Sequence, residues 1–556
     1  MRAKAQNRAA VLLQSGNPGI VWCRAGARRH AVAVIGKAAR RLAAALYSAA
    51  SFRLSPLFGT ALLGVFPAAI PAAPANPERP NILFIYADDQ PYKTVGCYPG
   101  SWPWVETPNL DALARSGIRF DAAYLGSWCM PSRSIMLTGR QPHGIESMRL
   151  IGRNPASTYD PARTPFVPAA LRRAGYHTAQ IGKWHTGPDT GFGRDWDRQL
   201  VWNHALGKGG YYGPQMVSID GREERFEGYA TDLYTGWAVD YIRGDHRDRT
   251  KPWYLWICYG AIHGPSTPAA RHRGRYADAP VPEPADLLPP RPGKPPYLEG
   301  MQAWERNASG DPVANRGNLI TAPDGTRRRP TLAETVRQVN ECVPALDEGV
   351  ARLLAALRET GQLENTLVVY TADQGFAFGE HGMRTKVAPY DANYRSPLII
   401  AQPGRVPAGR VCLAPINGPD LIATFCALAG ASAPRPLHGR DLTPLLRQPE
   451  ADWPHATLFE HTGGTYGREV AQLLRERPSE ATYAGVPFYA AVVQQRFKFV
   501  HYLMPGNGEE LYDLQDDPEE LRNLVNDPAQ QDRRERLRAA LAAELVRTDA
   551  GFGLGP

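Results

Sequence analysis

"NILFIYADDQ", residues 81–90, joins a run of aliphatic, β-branched and aromatic side chains to two adjacent carboxylates and an amide. The first part, Asn81 to Ala87, is too short to cross a membrane and has the composition of a strand buried on both faces. "TPNLDALARSG" (107–117) follows with helix signals: Thr107 at the N-cap, Pro108 at the first helical position and Gly117 as the stop. A buried strand leading into a helix opens an α/β domain.

The pattern recurs along the chain. "PAALRRAGYHTAQIGKWH" (168–185) reads as a helix, a stop at Gly175, a strand over Thr178–Ile181, and then Lys183 and His185 beyond it. "WYLWICYGAIHG" (253–264) reads as a strand over Trp253–Tyr259 followed by His263. "VARLLAALRETGQLENTLVVYTADQG" (350–375) gives an amphipathic helix, a stop at Gly361 and a strand over Thr366–Ala372 ahead of Asp373 and Gln374. Ligands of open α/β sheets bind beyond the carboxyl ends of the strands, so these polar residues are expected at one site. Residues 265–330, rich in Pro, Arg and Gly, read as a long surface excursion without elements of its own that could line an entrance. "FYAAVVQQRFKFVHYL" (488–503) reads as two adjacent antiparallel strands ahead of a helical tail. The expected organisation is a leader over 1–75, a catalytic domain over 79–439 and a smaller α+β subdomain over 440–556.

Asp88 and Asp89 alone are best read as a turn that uses Asp for its own backbone bonds. A second strand ending in Asp373 and Gln374 changes that reading, because three carboxylates and an amide oxygen form a hard donor set suited to Ca²⁺ or Mg²⁺ and poorly suited to zinc. Cys129, in "GSWCMPSRSIMLTGR" (126–140), sits where a helix begins, with Pro131 in the first turn and a glycine stop at Gly139. A helix N-terminus and Arg133 favour an anion there, while a lone cysteine is as readily a buried apolar filler. Lys183, His185, His263 and Lys386, seen singly, would each pass for ordinary surface or loop residues. Their weight comes from falling at matching positions in one set.

The net charge of +8 suggests a nucleic-acid partner until its location is considered. Residues 1–75 hold ten Lys and Arg and no Asp or Glu, so their removal leaves −2, and no nucleic-acid-binding motif appears elsewhere. Basic residues, then the apolar "LSPLFGTALLGVFPAAIPAAPA" (54–75) ending in a small-x-small site at Ala73 and Ala75, follow the order of a secretory signal. Pro56, Pro67 and Pro71 interrupt the run, so no stable membrane anchor is expected and the mature protein is expected to be exported, periplasmic or extracellular. Six cysteines remain beyond Cys23, too sparse for a disulfide scaffold and without the CxxC spacing of a zinc site.

"CMPSRSIMLTGR" (129–140) resembles the C-x-P-S-R-x-x-x-x-T-G-R signature of the formylglycine-dependent sulfatases, and "GYHTAQIGKWH" (175–185) that family's G-Y-x-T-x-x-x-G-K-W-H. The likeness extends through "YADDQ", "IHGPSTP", "TADQGFAFGEHGMRTK" and "YRSPLII", an ordered set from about Pro80 to Pro403. It implies an alkaline phosphatase-like fold: a large mixed, mainly parallel sheet flanked by helices, with a C-terminal subdomain built on an antiparallel sheet. It also implies that Asp88, Asp89, Asp373 and Gln374, with residue 129, hold a divalent cation, Ca²⁺ most often. Gln374 stands where relatives commonly carry Asn or His. Cys129 would be converted to formylglycine by a formylglycine-generating enzyme, and its hydrate would supply the nucleophile. Arg133, Lys183, His185, His263 and Lys386 would surround the sulfate, with His381 in "GEHG" either an edge of the site or structural. The implied substrate is a sulfated small molecule or glycan, and the aromatic stretch "DWDRQLVWNHALGKGGYYGP" (195–214) could stack against sugar rings or be core. The competing readings are an arylsulfatase, a phosphonate monoester or phosphodiester hydrolase of the same superfamily, and a non-catalytic glycan-binding protein.

Overall fold

The structure, a computed structural model, describes residues 79–148, 159–317, 319–321 and 326–555, so the basic leader lies outside the described residues. Its centre is an 11-stranded sheet. Along the path the strands run Arg410–Cys412, Ile118–Tyr124, Arg395–Ala401, Thr366–Ala372, Asn81–Ala87, Trp253–Cys258, His177–Trp184, Arg198–Asn203, Gln215–Ile219 and Arg222–Phe226, with Ile416–Asn417 pairing Ile118–Tyr124 off the path. The middle five, from Thr366–Ala372 to Arg198–Asn203, are mutually parallel, and antiparallel pairs lie on both flanks. The mixed, mainly parallel sheet expected from the sequence is therefore present.

Both faces of the sheet are covered, which is why its central strands read as continuous apolar runs. One face packs under helices Pro108–Arg115, Ala230–Arg243 and Val343–Glu359. The other packs under Cys129–Thr138, Val167–Arg173 and Gly418–Ala429. Asn81–Ala87 and Thr366–Ala372 are buried at every position, as their sequences require.

Three local expectations are corrected. The third strand continues to Trp184, so Lys183 lies on it rather than beyond it. Within it Gly182 adopts φ +101°, and a Cβ there would meet the carbonyl oxygen of Cys258 at 2.1 Å, so the neighbouring strand requires a glycine. Thr107 precedes its helix without capping it; its hydroxyl accepts from the Gly96 amide at 2.8 Å and donates to Asp111 at 2.9 Å. The 265–330 excursion carries short elements, including the Tyr297–Gly300 helical turn and a hairpin of Trp304–Arg306 with Pro312–Ala314.

A separate four-stranded antiparallel sheet follows, ordered Thr457–His461, Tyr489–Gln494, Phe497–Tyr502 and Glu509–Asp513. Leu537, Leu541 and Leu545 of the terminal helix Gln531–Arg547 cover one face, and Ala377, Met383, Val387 and Tyr394 join the cluster on the other. No disulfide forms among the described cysteines.

Candidate active site

The in-register pairing of Ala87 with Ala372 brings the ends of two adjacent parallel strands level. Asp88 and Asp89 thereby meet Asp373 and Gln374: Asp373 Oδ1 accepts from the backbone amides of Asp89 at 2.8 Å and of Gln374 at 3.0 Å. Cys129 enters from the first residue of its helix, with Sγ 3.2 Å from Asp88 Oδ1 and 3.7 Å from Asp89 Oδ1. All ten residues of that helix are buried, and it stops at Gly139 with φ +66°. Its burial places Cys129 and Arg133 in the floor of the site.

Cations surround the carboxylates. Lys386 Nζ donates to Asp89 Oδ1 at 2.6 Å and lies 3.0 Å from Cys129 Sγ. Lys183 Nζ donates to Asp88 Oδ2, and Arg133 Nη2 lies 3.4 Å from Asp88 and 3.5 Å from Asp373. Gln374 Nε2 donates to Asp89 Oδ1, while its Oε1 accepts from Ser132 Oγ at 3.2 Å. His263 Nε2 lies 3.5 Å from Asp89 Oδ2, and its Nδ1 faces the Gly264 carbonyl at 2.7 Å. His185 stands one layer out, its ring 4.5 Å from that of His204 and 6.2 Å from that of Trp128.

Charge and burial set the protonation states. Burial alone would raise the Asp88 carboxyl, but Lys183 and then Arg133 more than offset it and hold it well below the usual carboxylate range. Asp373 is pushed well above that range by burial and then by Asp88. Two such carboxylates ionise together only with a positive charge between them. Burial, followed by Asp88, also raises the Cys129 thiol, so the bare side chain is a poor thiolate. Lys386 is partly buried, which would lower it, yet Asp89 and Cys129 push it well above the usual lysine value and keep it cationic. Burial lowers His263, partly countered by Asp89, and lowers His185 further with the help of Lys183.

A protein-family model described as Sulfatase matches residues 80–431, more than half of the chain. The chain belongs to the sulfatase family. This sulfatase is accordingly a sulfuric ester hydrolase, and a second model, N-sulphoglucosamine sulphohydrolase, C-terminal, matches residues 379–547. The chain is 30% identical to an N-acetylglucosamine-6-O-sulfatase of Bacteroides thetaiotaomicron over 82% of its own length and 85% of the relative's. An arylsulfatase of Clostridium perfringens is 26% identical over 85% of this chain and 96% of that one. Among solved structures, one in complex with its substrate D-glucosamine-2-N,6-O-disulfate superposes with a TM-score of 0.71 at 28% identity, covering 85% of this chain and 98% of that chain.

The structure gathers Asp88, Asp89, Cys129, Arg133, Lys183, His263, Asp373, Gln374 and Lys386 around one centre. It also adds residues not foreseen. Ser132 holds Gln374. Trp128 stacks on Tyr483 with centroids 5.0 Å apart, bringing an aromatic ring from the C-terminal part to the rim. The aromatic stretch 195–214 divides: Trp196 and Trp202 are core, while His204 and Tyr211 reach the site.

His381 is resolved as structural. It is buried, its Nδ1 lies 2.6 Å from Asp286 Oδ2, and its ring packs 4.0 Å from that of Tyr390. Burial, reinforced by Lys294, lowers its pKa from 6.5 to about 4. The unfolded chain therefore binds the extra proton between those values, so this contribution is complete above pH 6.5 and is lost as pH falls toward 4. Its full size is about 3 kcal/mol, of which about 2 kcal/mol disappears between pH 7 and pH 5. Urea unfolding of wild type and His381→Gln at both pH values checks this; an equal drop in the two proteins would remove His381 from the account.

Proposed function

We propose that this protein is an exported hydrolase that cleaves the S–O bond of sulfated carbohydrates, with 6-O-sulfated glucosamine derivatives the first substrates to try. The observation that carries the reading is the setting of Cys129, enclosed between Asp88 and Asp89 on one side and Lys386 on the other, with Arg133 and Lys183 alongside. The likeness to an N-acetylglucosamine-6-O-sulfatase and to a structure holding a glucosamine disulfate supports the sugar. The composition of the leader supports export.

The residues present fit a divalent cation. Asp88, Asp89 and Asp373 supply hard oxygens, and turning the Gln374 amide over would offer Oε1 to the ion while Nε2 faced Ser132 Oγ. Cys129 or its modified form would complete the set. Bound there, Ca²⁺ or Mg²⁺ supplies positive charge to the sulfuryl oxygens and to the nucleophile. The "CMPSR" sequence supports reading Cys129 as the precursor of formylglycine, made by a formylglycine-generating enzyme that reads it.

Arg133, Lys183 and Lys386 would grip a sulfate and hold the charge that develops on its oxygens. With Nδ1–H donating to Gly264, a His263 ring that also carries a proton on Nε2 would pass that second proton to the departing sugar oxygen, beside the Lys386 ammonium, and be left neutral. His185, two residues past Lys183 and with its ring 6.2 Å from that of Trp128, would be the base that restores the resting state.

The purified, matured protein should release inorganic sulfate from 6-O-sulfated N-acetylglucosamine or glucosamine faster than from 2-O-, 3-O- or 4-O-sulfated sugars. Mass spectrometry of the Cys129 peptide should show the aldehyde. Sulfate esters left intact while matched phosphate esters turn over would overturn the assignment.

A further inference from the structure

We infer that Tyr211 is a positioning residue for leaving-group protonation, holding the His263 ring so that Nε2 faces the departing oxygen; this rests on the role proposed for His263. The two rings lie within 5° of parallel with centroids 4.0 Å apart. Tyr211 Oη is also 3.2 Å from His263 Nε2. Between nearly parallel rings at this spacing, such a contact runs from face to face, whereas a hydrogen bond to imidazole nitrogen lies in the ring plane. Tyr211 therefore covers one face of His263 without occupying the in-plane direction of Nε2; Asp89 Oδ2 lies 3.5 Å from that nitrogen.

The phenol is itself fixed from three sides. Lys183 Nζ donates to its oxygen at 3.3 Å and sits 4.8 Å from the ring centroid. His204 Nε2 lies 3.2 Å from the hydroxyl, and the indole of Trp202 meets the ring edge-on at 5.0 Å. With the Lys183 ammonium donating into the oxygen, the hydroxyl proton is directed to His204. Burial lowers His204 to about 3, so it is neutral and able to accept. The adjacent Tyr212 hydroxyl donates to the His263 carbonyl at 2.7 Å. Consecutive tyrosines thus hold the ring and the backbone of one histidine. The ring of Tyr211 orients His263, and its hydroxyl ties that orientation to Lys183, a member of the sulfate grip.

The test compares Tyr211→Phe, which keeps the stacked ring, with Tyr211→Leu, which removes it, on a sulfated sugar and on 4-nitrophenyl sulfate. A nitrophenolate leaves without a proton and a sugar alkoxide does not. Tyr211→Leu should lose about 100-fold in kcat on the sugar and less than about 5-fold on the aryl ester, with Tyr211→Phe recovering most of the sugar activity. Equal losses on both esters, or none on either, would overturn the inference. If the enzyme turns over phosphate esters instead, the same leaving-group comparison on those esters decides Tyr211 while the proposed function fails. A readout independent of turnover uses the unmodified Cys129 protein: ¹⁵N NMR of histidines should show the His263 Nδ1–H as one fixed signal, held by the Gly264 carbonyl, in wild type and as an averaged signal in Tyr211→Leu. Unchanged spectra in that variant would also remove Tyr211 from this role.

Discussion

Replacing Cys129 with serine is expected to abolish turnover of every sulfate ester, a loss on the order of 10⁴-fold or more, while the protein still folds. The fold should persist because the substitution is nearly isosteric, and a serine hydroxyl can donate to Asp88 Oδ1, which lies 3.2 Å from the present sulfur. Turnover should fail for a chemical reason. A serine can accept a sulfuryl group, but the resulting ester has no second hydroxyl on the same carbon through which to expel it. Sulfate release and intact-mass measurement check both halves: no catalytic sulfate, and a mass increase on incubation with substrate. Activity within tenfold of wild type would show that residue 129 is not the nucleophile's source.

The second large effect falls on stability. Lys498, fully buried on the antiparallel sheet, donates to Glu520 Oε1 at 2.8 Å, to the Pro389 carbonyl at 3.1 Å and to Asp391. The two acids respond differently. Lys498 and then Arg395 offset burial and lower Asp391, whereas burial raises Glu520 to about 7. Asp391 is thus the firm anion of the group. Lys498→Met fits the space but leaves that anion without its main partner, which should cost about 3–5 kcal/mol in urea unfolding. Adding Asp391→Asn should restore much of the loss, because it removes the stranded charge. A double variant no more stable than Lys498→Met would locate the cost in packing instead.

Much of this architecture is legible before any coordinates. Asn81–Ala87 and Thr366–Ala372 are buried on both faces, so nothing polar interrupts them, and their ends coincide with the first Asp that follows. The same logic assembles Asp88, Asp89, Asp373, Lys183 and His263, because parallel strands deliver their carboxyl ends to one edge. The end of the His177–Trp184 strand is less legible, because nothing local marks Gly182 as a glycine demanded by the neighbouring strand. The partners of Tyr211, within the aromatic stretch 195–214, and of Tyr483 are not legible for a different reason. Each acts on residues far along the chain, and nothing local marks an aromatic ring that faces a site rather than a core.

The level pairing of Ala87 with Ala372 has an evolutionary consequence. The acidic cluster inherits its spacing from backbone hydrogen bonds between neighbouring strands, so it is insulated from insertions in the surrounding loops. Tyr211, Tyr483 and the 265–330 excursion lie on segments that can lengthen, shorten or exchange rings without moving those strand ends. A change in those walls would therefore leave the spacing of the acidic floor unaltered.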